Sequence, residues 1–70
     1  MNADEHIGWC KQRALEYIKE GNAKDAIASM ISDLNKHPET KCNEYVAALG
    51  LICASHDDLI ESKRWIEGFR

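Results

Sequence analysis

The stretch from Ala14 to Pro38, ALEYIKEGNAKDAIASMISDLNKHP, leaves a chain of this kind little choice of fold. It holds the end of one helix, a Gly-Asn turn, and a second amphipathic helix stopped by proline. Gly21 supplies the left-handed conformation that ends a helix without a Cβ penalty. Asn22, with Asp25 three residues on, has the form of a helix start. Ala23, Ala26, Ile27, Met30 and Leu34 then recur at helical spacing, and the alanines at 23, 26 and 28 permit close approach to a neighbour. Pro38 cannot continue the ladder and disfavours helix at His37. The turn is too short for the two apolar faces to do anything but pack together.

The same logic extends to both sides. Asn2 followed by Glu5 reads as a capping box, and Ile7, Cys10, Ala14, Tyr17 and Ile18 form one face of a first helix over about residues 3–20. Pro38 suits the first position of a third helix, with Glu39 in its first turn. Cys42, Val46, Leu49 and Cys53 make its stripe, which Tyr45 and Ile52 widen. This is the most apolar of the helices, so the sequence predicts it at the centre of the core. Ser55-His56-Asp57-Asp58 breaks it. Asp58 with Glu61 repeats the capping pattern, and Leu59, Ser62, Trp65, Ile66 and Phe69 carry the last stripe. No strand pattern occurs. The expected fold is all-α: one domain over residues 1–70, with four short helices as two stacked αα-hairpins, about 3–37 and 38–69.

The bulk properties narrow the function classes. At 44% hydrophobic and 30% charged residues the chain is globular rather than disordered. Its net charge is −3, and nine Lys and Arg are scattered among twelve acids, which argues against a nucleic-acid partner. The longest apolar run, YVAALGLICA at 45–54, falls short of the ~20 residues that span a bilayer. The acidic, polar MNADEHIGWCK is not a secretory signal. Three cysteines, an odd number, then read as reduced thiols, and the expected location is cytoplasmic.

Two partial patterns together resemble the tetratricopeptide repeat, a helical hairpin of about 34 residues with the form W-x2-L-G-x2-Y…A-x3-F…P. Tyr17, Ala26, Met30 and Pro38 fall at the last four positions, and Gly21-Asn22 stands where the family has its Gly-Asp turn. Cys10, Arg13 and Ala14 replace the leading Trp, Leu and Gly. The second half keeps the complementary part: Val46-x2-Leu49-Gly50-x2-Cys53, then Ser62-x3-Ile66, with Asp57-Asp58 at the turn. The offset between units is 36 residues, with the surplus expected around Pro38–Cys42. In that family the first helix of each unit lines a concave, peptide-accepting groove. The resemblance therefore implies a groove of Lys11, Leu15, Ile18 and Lys19 with Ala47, Leu51 and Ser55. On the residues alone, Leu15 and Leu51 read equally well as widening the core, and the two lysines either clamp a carboxylate or face solvent. WCKQRALEYI, ASMISDLNKHPET and RWIEGF also resemble small proteins of tailed bacteriophages, which implies a bacterial cytoplasm as the setting and no particular activity.

Signals for chemistry are weak beside this. His6 with Cys10, and Cys53 with His56, have the spacing of a Cys2His2 zinc site, yet both cysteines lie on apolar stripes where a thiol behaves as a small core residue. Zinc binding is the remote alternative. There is no phosphate loop, no nucleophile elbow and no clustered carboxylate, and Asp57-Asp58 is explained as a helix start, so neither enzymatic activity nor a cofactor is expected. The leading reading is a small non-enzymatic protein–protein interaction module, an adaptor or modulator of a host protein if phage-encoded. The alternative is a self-assembling structural subunit with no other partner. Trp65, Ile66 and Phe69 crowd the last helix, which points to a homodimer through that helix with Trp65 and Phe69 as anchors.

Overall fold

The computed structural model describes residues 2–69. They form α1 (Ala3–Lys19), α2 (Ala23–Leu34), α3 (Glu44–Ser55) and α4 (Leu59–Glu67), with a 3-10 turn over Pro38–Thr40. Among the described residues there is no strand, so the fold is all-α. Among the described residues no helix is long and apolar enough to cross a membrane. Each helix opens on a side-chain oxygen that takes an otherwise free amide of its first turn. Asn2 accepts from the Glu5 N–H at 2.8 Å, Asn22 from Asp25 at 3.1 Å, Asn43 from Tyr45 at 2.8 Å and Asp58 from Glu61 at 3.0 Å. Such caps are worth about 1 kcal/mol each.

The two hairpin turns are built alike. Gly21 has φ +79°; its N–H donates to the Ile18 carbonyl, and that of Asn22 reaches Tyr17, both at 3.0 Å. Asp57 has φ +53°; its N–H donates to Ala54 at 3.0 Å and that of Asp58 to Cys53 at 3.2 Å. Donor for donor, these are the same six-to-one and five-to-two closures, 36 positions apart. The left-handed residue is glycine in one and aspartate in the other. Gly21→Val is expected to destabilise by about 1 kcal/mol or more, and Asp57→Gly to stabilise by about 0.5 kcal/mol, in urea unfolding followed by circular dichroism. Equal effects of both changes would remove the parallel.

Two expectations need correction. Pro38 does not open the third α-helix. It opens the 3-10 turn, which is held because the Thr40 hydroxyl donates to the Leu34 carbonyl at 2.8 Å, satisfying the end of α2. The Asn35 side chain accepts from the Cys42 N–H at 2.9 Å, and α3 waits for its own cap at Asn43. Nor is α3 the centre of the core. That place belongs to α2, which buries Ala23, Ala26, Ile27, Met30 and Leu34 against Cys10 and Ala14 of α1, with Cys42, Ala54 and Ile66 closing the cluster. What α3 buries is small, Gly50 and Ala54.

Packing follows the chain, α1 on α2, α2 on α3 and α3 on α4, and α4 also folds back onto both α1 and α2. At that closure Lys11 Nζ donates to the Glu67 carbonyl at 3.2 Å. The neighbours of α1 are thus α2 and α4 together with the 3-10 turn, while α3 rests on α2 and α4.

Candidate protein-contact surface

A helix that is apolar on all sides gives no signal as to which face turns inward. In α3 the choice is made by a close approach. The Trp65 indole of α4 lies flat against Gly50, where a Cβ would stand 2.6 Å from its ring, and the indole N–H donates to the Val46 carbonyl at 3.0 Å. Val46, Ala47, Gly50 and Ala54 therefore face inward, and the bulky residues of the same helix are left outside. Tyr45 is 75% exposed, Leu49 47% and Ile52 54%. They stand at i, i+4 and i+7, one stripe of a helix, with Ala48 between them and Leu51 at its edge. From Tyr45 to His56 no residue is an acid, lysine or arginine. Isolated apolar residues on a surface are ordinary, whereas large contiguous apolar patches often mark contact surfaces.

The residues expected from the sequence are distributed otherwise. Leu15, Ile18 and Ala47 are half-buried and packed against the core, so they serve as its rim. Lys11 is engaged with the Glu67 carbonyl, and Lys19 is exposed at the end of α1. Leu51 and Ser55 are exposed on α3. Three of the clefts among the described residues are lined by none of these seven. The self-association residues of α4 are turned inward. Ile66 is fully buried in the chain's own core and has no surface to offer a partner. Trp65 is half-buried on Gly50, and Phe69 stands edge-on against it, ring centroids 4.8 Å apart at 81°. Trp65 and Phe69 keep part of their surface, along a cleft they line with Val46, Arg64 and Gly68.

A polar cluster on the α1–α2 hairpin escaped the sequence reading. The Asp33 carboxylate, 3% exposed as a residue, lies 3.3 Å from Arg13 Nε and 3.1 Å from Lys36 Nζ, and accepts from the Ser29 hydroxyl at 3.4 Å. Both cations also cover the Trp9 ring, at 4.8 and 5.7 Å from its centroid. His6, 4% exposed, donates from Nε2 to the Asp33 carbonyl at 2.7 Å and meets His37 edge-on at 4.2 Å. The group is bound up in its own bonds. Its one signal in sequence is the spacing of Arg13, Asp33 and Lys36 around Trp9, which only the hairpin geometry makes meaningful.

Chemistry at the thiols is held back. All three cysteines are free. Burial pushes the Cys10 thiol above its ordinary range, with the Asp33 charge adding to the effect, and burial alone does the same at Cys42. Both stay protonated at neutral pH, the opposite of an activated nucleophile. Cys10 Sγ lies 3.6 Å from His6 Nε2, a nitrogen whose proton is already committed to the Asp33 carbonyl. Among the described residues no three of His, Cys, Asp and Glu are placed to hold one metal ion. Compared with models of protein families, with curated proteins and with solved structures, the chain matches none.

Proposed function

We propose that the chain is a small, non-enzymatic protein-interaction module whose contact surface is the outer face of α3. The observation that carries this is the exposed stripe of Tyr45, Leu49 and Ile52 on a helix without a charge between Glu44 and Asp57. Leaving three large apolar side chains in water forgoes about 1.5–3 kcal/mol for each that could be fully buried. The sequence had an alternative, since the small residues of α3 are the ones spent on the interior. The matching turns at Gly21-Asn22 and Asp57-Asp58 support a tetratricopeptide-like duplication as the scaffold, and a bacterial cytoplasm as the setting is what the phage-like wording suggests. The groove drawn from that family is less well supported than the α3 face, because Leu15 and Ile18 are packed against the core and Lys11 is bonded to α4.

The test is affinity capture with wild type beside a Tyr45→Glu/Ile52→Glu double variant whose helix content is unchanged. A stoichiometric partner held by wild type and lost by the variant is the expected result. Equal capture by the two proteins sinks the α3 assignment.

A further inference from the structure

We infer that the α3 face takes an amphipathic helix of a partner protein, one whose apolar stripe is flanked by lysine or arginine. The inference rests on reading that face as a contact surface and adds the chemistry of what covers it. From Glu44 to Ser62 the chain carries four acids, Glu44, Asp57, Asp58 and Glu61, and no lysine or arginine. Residues 1–38 are nearly balanced, with six acids against five bases. The acidity of the chain is therefore concentrated around the helix that turns Tyr45, Leu49 and Ile52 outward.

The acids stand at both ends of the stripe. Glu44 opens α3 with Glu39 just upstream, and the exposed Lys41 between them offsets one of the two. At the other end come Asp57, Asp58 and Glu61. Among the described residues only Glu61 of these meets a cation, Arg64 Nη1 at 3.2 Å. Trp65 marks the side of α4 that meets α3, and Lys63 lies about half a turn from it, on the far flank. Both ends stay acidic and the middle is uncharged.

This pattern selects its occupant. A second copy brings the same acids to the same ends in either orientation, and an anionic surface is repelled likewise. A cationic partner is drawn in. An extended peptide would lay an unpaired backbone on a helix that offers it no strand edge, whereas a helix satisfies its own N–H and C=O groups. Tyr45, Leu49 and Ile52 span about two turns, and Glu44 and Asp57 stand about 20 Å apart along α3. The matching helix carries apolar residues at i, i+4 and i+7 in its middle turns, between bases about 13 residues apart. Two turns of apolar contact fall short of the roughly 800 Å² per partner of a standard interface, so the flanking charges carry part of the affinity.

Isothermal titration calorimetry on the full chain tests this with synthetic helical peptides. One has the apolar stripe with lysine ends, one the same stripe with glutamate ends, and one lysine ends with the stripe scrambled. At about 50 mM salt the lysine-ended peptide is expected to bind at least about tenfold more tightly than the glutamate-ended one, a preference that shrinks below about threefold at about 500 mM. The scrambled peptide is expected not to bind. Glu44→Gln/Asp57→Asn leaves the apolar stripe untouched, keeps at position 57 a residue that tolerates φ +53°, and is expected to lose most of the preference. Leu49→Ser/Ile52→Ser, of unchanged helix content, is expected to bind neither peptide. Equal affinity for the two kinds of end, lysine-ended binding that survives scrambling or Leu49→Ser/Ile52→Ser, or no binding up to about millimolar concentration each overturns the basic helix as occupant. So does a wild-type dimer in sedimentation equilibrium that Leu49→Ser/Ile52→Ser breaks, which gives the face to a second copy. If partner capture is still lost with Tyr45→Glu/Ile52→Glu, the contact surface outlives any of these results. Capture unaffected by that variant takes both readings down.

Discussion

Gly50→Ala is expected to lower stability by about 1–3 kcal/mol, the reverse of what replacing a helix-interior glycine ordinarily does. Replacing such a glycine by alanine should gain about 1 kcal/mol from backbone propensity alone. Here the added methyl would stand 2.6 Å from Trp65 Cε2 and 2.7 Å from Cζ2. These atoms belong to the body of the indole, so the whole ring must leave, and its hydrogen bond to the Val46 carbonyl leaves with it. A domain of this length has only about 4–10 kcal/mol in total. Urea unfolding checks the magnitude, and the near-ultraviolet dichroism of tryptophan checks the cause. Introducing Trp65→Leu into Gly50→Ala should recover part of the loss, because a smaller side chain makes room for the methyl. A variant as stable as wild type would show that the indole does not rest on Gly50.

Ile27→Ala is expected to cost about 2–5 kcal/mol, since the side chain is fully buried at the centre of α2. Leu49→Ala and Ile52→Ala should each fall within about 0.5 kcal/mol, since both side chains are about half exposed. The contrast separates two pictures of the molecule. If α3 were the central helix, its leucine and isoleucine would be the costly truncations and Ile27 no worse than they are. Chemical denaturation of the three variants at one low concentration decides between them.

Much of the helical skeleton was legible because it is written in local chemistry. Asn2, Asn22 and Asp58 cap where their spacing to Glu5, Asp25 and Glu61 says they should, and Gly21 takes the left-handed turn that glycine permits. These are interactions across three or four residues, and the sequence displays them directly. The start of α3 was not legible in the same way. Pro38 satisfies the rules for a first helical position, yet the Thr40 hydroxyl and the Asn35 amide compete for the same backbone and hold the chain in a tighter turn. The inward face of α3 was hidden for a different reason. Hydropathy ranks Leu49 and Ile52 above Gly50 and Ala54, but burial is decided by what lies opposite, and a tryptophan fits only where a side chain is missing. The same contact explains why Trp65 and Phe69, large and apolar, are not the free surface their composition suggests. The polar cluster at Asp33 depends on residues from both helices of the first hairpin, a proximity that no single-helix periodicity reports.

The return of α4 to α1 gives the molecule a latch. Hairpin one closes across a three-residue turn, so its contacts cost little chain entropy to assemble. The bond from Lys11 to Glu67 joins positions 56 apart, and nearly the whole chain must be ordered before it can form. Topology therefore places the seating of α4 late on the way in and early on the way out. In kinetic terms, changes in the first hairpin are expected to slow folding and changes that loosen α4 to speed unfolding, which stopped-flow refolding and unfolding of Ala26 and Ile66 variants would check. Ser62 sits on that inward face of α4 with its hydroxyl buried and without a partner among the described residues, so the latch is held more loosely than an alanine there would hold it.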